Sequence, residues 1–157
     1  ATKMSALLRR AVGAAREGDI FELLPELLAN QTLRLRDLNR IVFEAACTGD
    51  AVALRILTNM GAENARSIVA LIRGMDFGEK LSVILAGSIY RRGEHPAAVE
   101  ELKRVVSLAC PEHKLRFMLL EAPPVAGAVL WAAETVSQRS TEADMRKRVI
   151  NASQGFQ

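Results

Sequence analysis

The chain is short of aromatic residues, which fill 4% of its 157 positions, and it holds two cysteines, two histidines and five prolines. Each shortage excludes something. Cys47 and Cys110 are too few and too far apart for a disulfide framework or a cysteine metal site. Both lie among apolar residues and read as small buried thiols. His95 and His113 have no partners at ligand spacing, so no metal site is expected and both read as surface residues. No apolar run approaches the roughly 18 residues of a membrane span, and no secretory leader is recognisable. The net charge of +3 is small, and the two signs are interspersed, which argues against a nucleic-acid partner. The expectation is a cytoplasmic protein with neither a nucleic acid nor a membrane as partner.

Half of the chain is apolar. With so few rings, Ala, Leu, Val, Ile and Met must supply the core. The length suffices for one domain with a sizeable interior.

Helical spacing of Met4, Leu7, Leu8, Ala11, Val12 and Ala15 predicts a helix over 3–17. Gly18 is expected in a left-handed capping position, with Asp19 capping the next helix, which runs to about Ala29 past Pro25. A third helix is predicted over 37–48. Gly49-Asp50 breaks it, and a long helix follows to about Arg73, with Ala53, Ile56, Leu57, Met60, Ile68, Leu71 and Ile72 on one face. Gly61 is an irregularity within it. The two Gly-Asp breaks stand 31 residues apart. Shared capping chemistry accounts for them better than a repeat array, which needs more copies.

After Gly78 the pattern changes. Strands are predicted over 81–86 and 115–120, with helices over 96–109, 124–137 and 141–151. Trp131, on an apolar helix, reads as core. Strands alternating with helices imply an α/β fold with a parallel sheet. Two parallel strands are marginal alone, and parallel sheets are normally covered on both faces. The expectation is a C-terminal portion of a larger architecture, with an exposed apolar sheet edge or an oligomer covering it. Three regions follow: a helical region over 1–78, a strand-helix-strand-helix region over 79–140, and a charged helix with tail over 141–157.

Two segments carry the functional reading. Leu81–Ala86 leads into Gly87-Ser88-Ile89 and the basic Arg91-Arg92. Further on come Pro123-Pro124-Val125-Ala126-Gly127-Ala128. A strand that stops at glycine brings its backbone to the surface with no Cβ in the way. Ser88 adds a hydroxyl that donates or accepts. Arg91-Arg92 suit either a phosphate or a solvated loop.

In order and spacing these segments resemble the end of a protein of the acetate and sugar kinase, heat-shock ATPase and actin superfamily. The closest resemblance is to its N-acetylglucosamine kinase and BadF/BadG-type ATPase branch. Ala45-Ala46-Cys47-Thr48-Gly49-Asp50 and the long helix after it match that branch too, so the resemblance covers about 37–137. It implies a helix-rich C-terminal part of an RNase H-like ATPase lobe, with few parallel strands. It places Ala86, Gly87, Ser88 and Ile89 against the adenosine of ATP, and Arg36 or Asp37 near the base. It makes Pro124, Gly127 and Ala128 part of a hinge, where small residues let another backbone approach.

The implied activity of the complete protein is transfer of the γ-phosphoryl of Mg-ATP to an amino-sugar hydroxyl. No glycine-rich phosphate turn or acidic catalytic motif is recognisable in the chain, so no catalytic residue is assigned. The implied partner is a missing N-terminal lobe or a second chain, with a homodimer as one form. Two alternatives stand beside this reading. One is an ATPase that activates a dehydratase or reductase through an iron–sulfur cluster. The other is a non-enzymatic helical interaction module.

Overall fold

The computed structural model describes residues 2–87, 89–90 and 93–153. Among these, seven helices and two strands form an α/β chain dominated by helix. The chain divides into two compact units. The first comprises Ala1–Leu81 and Arg92–Arg116; the second comprises Ser82–Arg91 and Phe117–Gln157.

The first unit holds α1 (Lys3–Val12), α2 (Asp19–Ala29), α3 (Leu35–Cys47), α4 (Ala51–Gly74) and α5 (Ala97–Ala109). Thr2 opens α1 with a capping box: its hydroxyl accepts the Ser5 N–H, and the Ser5 hydroxyl accepts the Thr2 N–H. The helix ends earlier than its apolar spacing predicts. Gly13, not Gly18, turns left-handed (φ +70°), and the Ala14 N–H reaches back to the Arg9 carbonyl at 3.0 Å. Gly18 has φ −60°, and Asp19 is already inside α2, where its carboxylate accepts the Arg16 N–H. Helix α2 continues through Pro25.

Gly49-Asp50 behaves as predicted. Gly49 is left-handed (φ +78°), and Asp50 caps α4 by accepting from the Val52 and Ala53 N–H groups at 2.9 and 3.1 Å. The same carboxylate accepts the Met4 N–H at 2.9 Å, so one buried side chain serves the first turns of α1 and α4. Those donors hold its carboxyl below the ordinary value, with the Met4 N–H the largest cause and Ala53 next.

Helix α4 buries Ala53, Leu57, Gly61, Ala65 and Ile72, and α5 buries Ala98, Leu102 and Val106. Ala53 to Ala65 in α4 and Ala98 to Val106 in α5 advance four residues at a time, the ridge that interlocks helices most often. Where Gly61 meets Ala98 the residues are small, so the two backbones come close. A Cβ on Gly61 would lie inside the van der Waals envelope of the Ala98 carbonyl oxygen and 3.0 Å from its carbon. This close approach is how a core with few rings gains dispersion contacts. Ala45, Ala46, Ala53, Leu57 and Ala98 form one cluster, with Met4, Leu7, Val42 and Phe43 packed around it. Val12, Ile20 and Leu33 form a second.

Three expectations for this unit are corrected. Ile56 and Leu71 are exposed, because the buried face of α4 is narrower than the apolar content of the helix. Cys110 is fully buried, but Cys47, in the last position of α3, is exposed. The His113 side chain is 14% exposed, with Nδ1 3.2 Å from the Gly78 carbonyl oxygen.

The strands β1 (Lys80–Leu85) and β2 (Lys114–Leu119) begin in the first unit and end in the second. The Lys114 N–H donates to the Glu79 carbonyl and the Leu120 N–H to the Leu85 carbonyl, a constant offset that makes the pair parallel. In this register Ile84 lies beside Met118 on one face, and both are exposed. Val83 and Leu85, on the other face, are buried.

The second unit adds α6 (Pro124–Ser137) and α7 (Ala143–Ser153), which pack on each other. Glu134 of α6 accepts the Thr141 N–H at 2.8 Å and the Arg146 guanidinium at 3.0 Å. These contacts, Thr141 first, hold its carboxyl below the ordinary value. Trp131 is 75% exposed, not core. The buried face of α6 runs through Ala126 with Leu130 and Ala133 half-buried, and Trp131 lies outside that arc.

Candidate functional site

Because β1 and β2 are parallel, both leave the sheet at the same edge, which lies in the second unit. Ligands of parallel sheets gather outside the carboxyl ends of the strands. Three features meet that requirement. Ala86 and Gly87, directly after β1, are exposed. Gly87 has φ +113°, a conformation that a side chain rarely adopts, and among the described residues a Cβ built on it meets nothing within 4 Å. Among the described residues, nothing crowds the backbone there.

The second feature follows β2. Leu120 still bonds to Leu85, and the chain then reaches Pro123, which is buried and extended (φ −58°, ψ 140°). The third is the start of α6. Pro124 occupies its first turn, as predicted, and among the described residues no side chain caps the helix. The Ala126 N–H bonds to the Pro123 carbonyl at 3.0 Å. An uncapped helix start presents the positive end of the macrodipole to whatever lies at the sheet edge.

The predicted site residues divide between the units. Ala86, Gly87 and Ile89 belong to the second, with Ile89 half-buried. Ser88 and Arg91-Arg92 lie outside the described residues. Pro124, Gly127 and Ala128 are also in the second unit, and all three are exposed. Among the described residues nothing approaches within 4 Å of a Cβ built on Gly127; the small residue of this helix that is buried is Ala126.

Arg36 belongs to the first unit, near the start of α3. Its side chain is exposed, and Nε stands 3.9 Å from Asp37 Oδ1. Asp37 accepts the Arg34 N–H at 3.0 Å and so closes the first turn of α3. A groove of about 400 Å³ lies beside it, lined by Leu7, Leu33 and Ile41 and by Arg10, Asp37 and Arg40. Arg36 does not line it. Sequence reasoning missed this groove, because it arises where α1 packs on α3 and the residues concerned are some thirty positions apart.

Among the described residues no three His, Cys, Asp or Glu side chains are grouped to hold a metal ion. None of their helices is long and apolar enough to cross a membrane. Comparison with protein-family models, with curated proteins and with solved structures finds no match to this chain.

Proposed function

We propose that the chain is the C-terminal, adenosine-contacting part of an ATP-dependent sugar kinase of the N-acetylglucosamine kinase type, within an RNase H-like ATPase lobe. The observation that carries this reading is Gly87: a left-handed glycine that no described residue crowds, at the carboxyl edge of a parallel sheet, where no described side chain caps the start of α6. A purine ring needs a bare, flat approach, and the phosphates that follow it favour the positive end of a helix. The complete protein would transfer the γ-phosphoryl of Mg-ATP to an amino-sugar hydroxyl. This chain would supply the adenosine side and part of a hinge, with the phosphate turns and the catalytic acid coming from a partner lobe.

The test is nucleotide titration of the 157-residue chain by calorimetry. Adenine nucleotides bind, Gly87→Val and Ser88→Leu each weaken binding at least tenfold with the circular dichroism unchanged, and no sugar provokes ADP release. The absence of ATP and ADP binding at millimolar concentration, or affinity untouched by both variants, refutes the adenosine assignment. Sugar-dependent ADP release by the chain alone refutes the division of labour.

A non-enzymatic interaction module is the second reading. The exposed, uncharged side of α6 favours it, because such a surface suits protein contact better than solvent.

A further inference from the structure

The groove between α1 and α3 holds opposite charges that stay apart. Arg10 of α1 lines it, with Asp37, Arg40 and Glu44 of α3. Arg40 has an acidic neighbour on each side at helical spacing, Asp37 three residues before it and Glu44 four after, yet it pairs with neither. Elsewhere the same acid-first spacing closes: Glu63 pairs with Arg66 in α4, and Glu101 with Arg104 at 2.6 Å in α5. Asp37 is committed to the Arg34 N–H and lies beside Arg36. Among the described residues the side chains of Arg10, Arg40 and Glu44 have no partner.

We propose that this groove binds a free α-amino acid with an aliphatic side chain. Leu33 and Ile41 in its lining are buried and Leu7 is half-buried, an aliphatic floor for such a side chain. Helices α1 and α3 run antiparallel: the Lys3 ammonium reaches the Thr48 carbonyl at one end, and Leu38 packs on the cluster of Val12 at the other. Arg10 therefore stands beside the first half of α3, and Glu44 lies one turn beyond Arg40, a rise of about 6 Å. Two guanidiniums from different helices suit the two oxygens of one carboxylate. The Glu44 carboxylate suits the ammonium of the same molecule.

The charge balance narrows the occupant. The ionised side chains of the lining carry two positive and two negative charges, so a neutral zwitterion fits, whereas a polyanion meets Asp37 and Glu44. A volume of about 400 Å³ lies at the small end of ligand sites. Arg10, Arg40 and Glu44 are exposed to water, which screens them, so the expected Kd is on the order of 1 mM. This inference concerns the first unit alone and does not rest on the nucleotide reading.

Titration of the isotope-labelled full chain, followed by amide chemical shifts, tests it. L-Leucine shifts the amides of α1 and α3 around the groove and saturates by about 20 mM. Isocaproate, which lacks the ammonium, and isoamylamine, which lacks the carboxylate, bind about tenfold more weakly or worse, the loss expected for one charged hydrogen-bonded contact. Arg40→Gln weakens leucine by a similar factor; both Arg40 and Glu44 are exposed, so changing either leaves the core and the circular dichroism intact. Glu44→Gln weakens leucine but leaves isocaproate unchanged or tighter, a split that a merely structural role would not give. The proposal is overturned by the lack of a saturable shift at that concentration, or by shifts confined to other residues. Leucine affinity untouched by either variant, or isocaproate binding as tightly as leucine, overturns it equally.

Discussion

Replacing Gly61 by alanine sets two effects against each other, and the structure decides between them. Alanine favours a helix interior over glycine by about 1 kcal/mol, so propensity alone predicts stabilisation. The new Cβ, however, would overlap the Ala98 carbonyl oxygen by roughly 1 Å, given the usual spacing of packed atoms. That obstacle is helix backbone and has no rotamer to escape into. Helix α5 must move away from α4, and its fully buried Leu102 and Val106 move with it. A gap of 0.5–1 Å forfeits about a quarter to a half of each dispersion contact. Overpacking of this kind costs about 1–3 kcal/mol, and immobile backbone puts Gly61 at the upper end. After the propensity gain, Gly61→Ala should lose about 1–2 kcal/mol, read as a lower urea midpoint and a fall in Tm of on the order of 5 °C. Gly127→Ala is the control, because the same Cβ on α6 meets open space. It should gain about 0.5–1 kcal/mol. A Gly61→Ala chain as stable as the parent, or more so, would refute the close approach of α4 and α5.

Two further outcomes follow from the first unit. The folded-state pKa of Asp50 lies below its ordinary 3.8, so its contribution is complete above that value and is lost as pH falls through the folded pKa. Asp50→Asn should therefore lower the urea midpoint at pH 7, and the gap to the parent should narrow below about pH 4; a gap independent of pH would count against the clamp. Ellman's reagent should modify Cys47 in the native chain and reach Cys110 only on unfolding, and equal reactivity of the two thiols would contradict their burial.

The sequence announces most elements because their ends are chemical. Asp50 caps, Pro124 starts a helix, and the apolar run from Leu81 to Ala86 marks a strand. What it conceals depends on which apolar residues find partners. Trp131, Ile56 and Leu71 satisfy a helical period yet lie outside the buried arcs, and periodicity alone does not tell an apolar residue that packs from one that does not. Gly18-Asp19 and Gly49-Asp50 are identical pairs with different conformations. The difference comes from Gly13, which stops α1 a turn early and leaves Gly18 with nothing to terminate. At the candidate site, the glycine turn was legible from the strand before it. The shared edge was not, because it depends on the pairing of β1 with β2.

The carboxylate of Asp50, at the start of α4, also holds the first turn of α1 through Met4, 46 residues away. Its bond to the Met4 amide makes that amide a reporter on distant structure. Exchange of the Met4 proton with solvent requires the clamp to open, and opening it also uncaps α4. The first turn of α1 should therefore exchange at the pace of the start of α4.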